Sequence, residues 1–384
     1  MTIRPTRTRR ATVRPGMVGV PVAVLLALLA LAPAARASVN WVVRGHGFGH
    51  GVGVSQYGAY GYALHGKDYE FILGHYYRGS TIGQTSGPRV VRVLLDISPG
   101  DVSFSGATSA CGVALDPGRE YEAHRAGNRV KLRSAAGKPL ADCGGRLRAA
   151  GRGKVRIGGV GTYRGALESV PTESQAGSLN VINALAVEQY VKGVIANESP
   201  PSWPAAELRT QAIESRSFAL SVDVEGNGFD LYDDTRSQVY DGYSSETAAT
   251  NAAVEATKGE VVMYGGRVAE TYFSACSGGY TESVQNVFFG PVVPYLTGVP
   301  DPYDYYCPLH DWTLRFSGPE ISAKLGAHLD GRLEQVVVTK RGVSPRIVAA
   351  KLVGSGGVTK VTGEQLQVAL GAYSTWMSFQ KIAG

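Results

Sequence analysis

Apolar and polar positions along the chain follow two different periods, and the changes from one to the other outline its elements. Val187, Tyr190, Val191, Val194 and Ile195 recur at three- and four-residue spacing and predict a helix that ends near Glu198. Pro200 and Pro201 disfavour its continuation, and Pro204 suits the first turn of a second helix. That second helix has Leu208, Ala212, Ser215 and Ala219 on one stripe, with Arg216 close to it. Further helices are expected over Ser55–His65, Glu70–Tyr76 and the Ala-rich Glu246–Lys258, the last closed by Gly259. A final helix is expected after Thr362-Gly363.

Strand-like runs surround these helices. Arg89–Ile97 alternates, and shorter runs follow at Val102–Phe104, Arg129–Leu132, Val155–Ile157 and Leu167–Ser169, broken by Gly and Pro. Glu260–Tyr264 and Arg267–Ser274 flank Gly265-Gly266 and predict a hairpin. Val336–Lys340 and Ile347–Val353 read as two more strands. The helices and strands do not alternate as regular β-α-β units, so the expected fold class is α+β, a mixed core with a β-rich inserted subdomain.

The first 37 residues read as a signal peptide. Arg4, Arg7, Arg9, Arg10 and Arg14 form a basic region, Val18–Leu31 is apolar, and Ala35-Arg36-Ala37 fits a cleavage site before Ser38. The apolar run of about 14 residues is short against the roughly 20 of a membrane span, so export is favoured over an uncleaved anchor. Arg9-Arg10 leaves a twin-arginine route open. The whole chain has 38 Lys+Arg and 32 Asp+Glu, but six of the arginines and none of the acids lie in this leader. The remainder is formally neutral, which gives no basic footprint for nucleic acid. It keeps about 350 residues, enough for two or three domains. The expected division is 38–95, a Gly/His-rich segment; 96–178, a β-rich insertion; and 179–384, the organised core.

Four cysteines in an exported chain favour disulfides over a metal or redox motif. Three pairings are possible; the most local one, Cys111–Cys143 with Cys276–Cys307, is expected. His46 and His50 have a metal-ligand spacing only if helical, and the glycines between them argue against a helix. No metal and no other cofactor is expected. Glu198 is the most informative candidate, held between an apolar helix and a rigid turn containing Trp203. At the lip of a pocket its pKa would rise and suit a proton donor. From position alone, a solvated helix-end glutamate is the simpler reading.

Several blocks together resemble the stage II sporulation protein D / LytB family. They include Glu188-Gln189-Tyr190-Val191-Lys192-Gly193-Val194, Glu198-Ser199-Pro200, Trp203-Pro204, Gln211-Ala212 and Arg216-Ser217-Phe218-Ala219. Ala256-Thr257-Lys258-Gly259, Gln238-Val239-Tyr240-Asp241-Gly242 and Tyr272-Phe273-Ser274 with Ser277-Gly278-Gly279 belong to the same pattern. So do Gly49-His50-Gly51-Val52-Gly53-Val54-Ser55-Gln56-Tyr57-Gly58-Ala59 and the tail Leu370–Trp376. The resemblance covers about residues 45–80 and 180–384 and leaves the insertion outside.

The family includes lytic transglycosylases of peptidoglycan. The resemblance implies that Glu198 is the single catalytic acid/base, cleaving MurNAc-GlcNAc strands to 1,6-anhydromuramoyl ends. It implies substrate contacts from His50, Gln56, Trp203, Arg216, Gln238, Tyr240, Ser277, Gly278 and Gly279. A structural salt bridge for Arg216 and a simple tight turn at Ser277–Gly279 stand beside those roles. Tyr57, Tyr60, Tyr62, Tyr69, Tyr76 and Tyr77 offer sugar-stacking surface, with half-buried core aromatics as the plainer reading.

Two departures from the family pattern stand out. Some members carry Cys-x3-His-Cys before Gln-Val-Tyr, where this chain has Tyr232–Ser237 without thiol or imidazole. The Gly-His-Gly block also precedes the Glu198 core instead of following it, a permuted order tolerated where chain ends lie close. The expected partners are peptidoglycan glycan strands, with no nucleic acid and no membrane span after leader cleavage. The runner-up reading is a non-catalytic, cell-wall-binding enhancer of an N-acetylmuramoyl-L-alanine amidase. An adhesion or structural wall protein would account for the disulfides but not for the Glu198 cluster.

Overall fold

The computed structural model describes residues 39–222 and 228–383; the expected signal peptide lies outside the described residues. The fold is α+β, as the pattern predicts. Its centre is a seven-stranded sheet in which Leu179–Ala186 pairs antiparallel with both Val90–Ser98 and Ala166–Pro171. Leu179–Ala186 is buried along seven of its eight residues, as expected for a strand covered on both faces. It runs directly into helix α3 (Val187–Glu198), which delivers Glu198 at its last position.

The predicted apolar face of α3 is buried in full. It packs against α4 (Ala205–Ser221), whose Leu208, Ala212, Ser215 and Ala219 stripe is also buried. Helix α5 (Ala248–Ala256) completes this layer and is shorter than the expected Glu246–Lys258. Thr247 caps its N-terminus, accepting from Thr250 N at 3.2 Å, while Glu246 is drawn into an ion pair with Arg164. The sheet, α3, α4, α5 and the strands of residues 102–163 share one apolar core, which includes Phe104, Leu132 and Ile157.

Helix α1 (Gln56–Leu64) starts from Ser55, whose hydroxyl accepts from Gly58 N, and α2 (Tyr69–Tyr76) starts from Asp68 in the same manner. Tyr62, Tyr76 and Tyr77 are core residues there. The glycine-rich segment before α1 is not all loop, because Val39–His46 is a strand between Asp311–Ser317 and Met377–Ala383. The beginning and end of the described chain are therefore adjacent, the arrangement a permuted order requires.

Past that strand, the glycines let the backbone thread tightly. At Gly53 (φ +72°), an added Cβ would sit 1.9 Å from the Tyr272 carbonyl oxygen. The strand Val54–Ser55 then pairs in parallel with Phe273–Ser274. The predicted hairpin forms around Gly265-Gly266, both at positive φ. Its second arm, however, is only Arg267–Val268, because the chain leaves the hairpin to reach Val54–Ser55. Cys111–Cys143 and Cys276–Cys307 are both bonded.

Candidate active site

Glu198 stands at the end of α3 and on the wall of a groove of about 1120 Å³. Its Oε1 accepts from Val239 N at 3.2 Å and its Oε2 from Gln56 Nε2 at 3.2 Å. Burial raises its pKa above the ordinary carboxylate range, while these two hydrogen bonds oppose the rise. The helix end adds a partial negative charge, which further favours the protonated acid. Glu198 is the sole Asp or Glu lining this groove among the described residues.

Apolar rings form much of the remaining wall: Phe48, Phe218, Tyr272 and Phe288. Tyr272 and Phe288 have their centroids 4.8 Å apart, and Phe288 lies 5.5 Å from the His50 ring. His50 accepts from Val52 N through Nδ1 at 2.9 Å, which leaves Nε2 as the protonated nitrogen of the neutral ring. Burial and the positive charge of Arg346 lower its pKa to about 4, against a smaller opposing contribution from the Phe273 backbone. Gln238 lines the groove, accepting from Tyr190 OH at 3.1 Å, and its buried Nε2 has no partner among the described residues.

The structure thus brings Glu198, His50, Gln56 and Gln238 to one groove. Trp203 is next to it rather than on its wall, stacked on Tyr60 at 4.7 Å and edge-on to Tyr57 at 5.0 Å. Arg216 is elsewhere. Its side chain is 0% exposed and makes a two-pronged ion pair with Glu188 (Nε–Oε1 3.0 Å, Nη2–Oε2 2.7 Å), with Nη1 on the Glu260 carbonyl. Its donors are spent inside the helical layer, which corrects the expectation of a substrate contact. Tyr240 is likewise internal, donating to Asn183 Oδ1 at 2.7 Å and packed on Tyr190 and Tyr163.

Ser277, Gly278 and Gly279 also lie off the groove wall and form a clamp on the loop that carries Cys307. Ser277 Oγ donates to Asp301 at 2.7 Å, and the main-chain N–H groups of Ser277 and Gly278 donate to Asp304 at 2.9 and 2.8 Å. Burial and its neighbour Asp304 raise Asp301 to about 7. Burial opposes ionisation of Asp304 too, but His310, Ser55 and those main-chain donors outweigh it and lower its pKa. The turn has work as a carboxylate cradle, so its glycines serve packing there.

Sequence reasoning missed the aromatic wall, because a groove aromatic and a core aromatic have the same local pattern. It also missed the buried acids behind Glu198. Glu207 is raised to about 8 by burial, against a 2.7 Å hydrogen bond from Ser199 Oγ. Glu214, two turns along α4, is raised well above the carboxylate range by burial and by Glu207. Glu207 is therefore a neutral acid near pH 7. Among the described residues no group of three or more His, Cys, Asp or Glu side chains is placed to hold a metal ion.

Residues 175–264, which include Glu198, Gln238, α3, α4 and α5, match the family model described as SpoIID, stage II sporulation protein. Over 233 residues the chain is 28% identical to the stage II sporulation protein D of Bacillus subtilis, covering 56% of this chain and 66% of that one. It is 38% identical over 134 residues to the amidase enhancer of Bacillus subtilis, covering 35% of this chain and 18% of the relative. An uncharacterised protein of Brachyspira hyodysenteriae is 39% identical over 140 residues, 36% of this chain and 37% of its own. The matched segment spans less than two thirds of each of these relatives. Residues 175–264 therefore carry a match to the stage II sporulation protein D family model, and the chain is similar to relatives named stage II sporulation protein D and amidase enhancer.

Proposed function

We propose that the protein is an exported peptidoglycan lytic transglycosylase in which Glu198 alone serves as acid and base. The observation that carries this reading is Glu198 as the sole carboxylate on the groove wall among the described residues. Glycosidases that recruit water use two carboxyl groups, about 5–5.5 Å apart in retaining and 6.5–9.5 Å apart in inverting enzymes. A groove with one carboxylate suits a reaction that needs no activated water.

Glu198, neutral and partly desolvated, donates its proton to the glycosidic oxygen between MurNAc and GlcNAc as that bond breaks. The carboxylate left behind then takes the proton from the muramoyl 6-hydroxyl as that oxygen attacks the anomeric carbon. The bond formed closes a 1,6-anhydro ring, and Glu198 regains its starting state. Attack from within the same sugar carries a high effective molarity, equivalent to as much as about 7–11 kcal/mol. Gln56 and Val239 N–H hold the carboxylate in place, the neutral His50 and Gln238 Nε2 offer hydrogen bonds to sugar oxygens, and the aromatic wall excludes water.

Two disulfides and cell-wall-related relatives support a location outside the cytoplasm. The amidase enhancer among the relatives keeps a second reading in play, a glycan-binding partner of a cell-wall amidase. Digestion of purified peptidoglycan, and of strands stripped of stem peptides, separates the two. Anhydromuramoyl fragments from wild type but not from Glu198→Gln support the transglycosylase. No cleavage by either protein, with amidase stimulation retained by both, replaces it with the enhancer.

A further inference from the structure

A second depression lies beside the groove at the loop before Gln238. Arg236 lines the groove and also lines this second, separate depression of about 980 Å³, so the two adjoin at this residue. The second depression is built from both sequence regions. Asp96, Thr172 and Ser174 lie outside the family match; Asn180, Tyr232 and Asp233 lie within it.

Its chemistry is specific. Phe229 and Tyr232 meet edge to face at 5.3 Å, and the Arg236 guanidinium covers the Tyr232 ring at 3.8 Å. Around these rings stand hydroxyls and carboxylates, with Thr172 and Ser174 bonded to each other at 2.8 Å. Asn180 is 6% exposed, and its Oδ1 accepts no hydrogen bond from any described residue. An orphaned buried amide oxygen in a depression costs stability unless a donor arrives to fill it. Among the described residues lining it, Asp96, Asp233 and Asp234 outnumber the one cation Arg236, which itself pairs with Asp234 at 2.8 Å. Such a surface disfavours phosphates and carboxylate-bearing groups.

We propose that this second depression is a remote binding site for an uncharged N-acetylated amino sugar of the same glycan strand, with Asn180 Oδ1 accepting from the sugar. The inference rests on the glycan reading of the Glu198 groove and gives the 96–178 region a role in holding long strands.

Calorimetric titration of an N-acetylglucosamine hexamer into the full-length Glu198→Gln protein tests it. Ser174 is exposed and Thr235, on the wall of the Glu198 groove, is exposed as well, so a bulky residue at either should leave folding intact. Ser174→Trp, which fills the second depression, and Asn180→Ala are each expected to weaken hexamer binding about tenfold. Thr235→Trp is expected to weaken it at least as much. Unchanged affinity in Ser174→Trp, with loss in Thr235→Trp, overturns the remote site and leaves the groove reading standing. A hexamer that binds neither the parent nor any variant, or binds all of them alike, overturns both.

Discussion

Gln56 Nε2 donates to Glu198 Oε2 at 3.2 Å and to the Glu198 main-chain oxygen at 3.1 Å, joining residues 142 positions apart. The same nitrogen is 3.1 Å from Gln211 Oε1. One side chain therefore ties the glycine-rich segment to both α3 and α4 at Glu198. Because its hydrogen bond favours the ionised carboxylate, its removal raises the Glu198 pKa further. A general acid works while protonated, so activity declines as pH rises through that pKa. Gln56→Ala is expected to lower kcat by about tenfold and move the alkaline limb of the pH–rate profile upward. An unmoved limb would show that the contact does not bear on Glu198 ionisation.

His50 is expected to remain neutral from pH 5 to pH 8, because its pKa is lowered to about 4. Val52 N–H occupies Nδ1, so the proton belongs on Nε2. Nitrogen NMR of the labelled protein should find the Nε2–H tautomer throughout that range. An imidazolium signal at pH 6 would contradict the geometry.

Glu207 sets a pH dependence of stability. Its folded pKa, about 8, lies above the roughly 4.3 of an unfolded glutamate. The folded state therefore binds the extra proton between those values, and stability present below the unfolded pKa is lost as pH rises through about 8. The slope from one such group is at most about 1.36 kcal/mol per pH unit. Urea denaturation should give a lower midpoint at pH 8.5 than at pH 5, and Glu207→Gln should flatten the difference. It should not abolish it, because Asp301, raised to about 7, acts in the same direction. Equal slopes in wild type and Glu207→Gln would refute the assignment.

Arg216→Met should destabilise the fold by about 3–5 kcal/mol, since Glu188 would keep a largely buried charge without its partner. The double variant with Glu188→Gln should recover part of this loss. Denaturation midpoints measure both, and binding of a glycan oligomer by the folded fraction should be unaltered. A stable Arg216→Met protein with weakened glycan binding would instead return Arg216 to the cleft.

Local periodicity made α3 and α4 readable, because their buried faces repeat within a few residues and prolines separate them. The Gly265-Gly266 turn and the helix after Thr362 were readable from equally local signals, and the most local pairing of the cysteines matches the bonds formed. The strand Val39–His46 was not, since both its partners lie more than 260 residues away in sequence. Ser277–Gly279 looked like a ligand loop because close backbone approach leaves the same glycine signal whether the guest is a sugar or an internal carboxylate. Arg216 posed a similar choice, which only its distance to Glu188 resolves. At Glu198 the sequence could name the side chain, but its solitude on the groove wall, among the described residues, required the fold.

That solitude makes the origin of the new end the decisive measurement. Glycan strands should be cleaved in water enriched in heavy oxygen and the fragments weighed by mass spectrometry. The account predicts anhydro ends without label, produced by wild type and reduced by about 10²–10⁴-fold in Glu198→Gln. Heavy oxygen at the newly formed ends would mean that water is the nucleophile, and the single-carboxylate mechanism would fall.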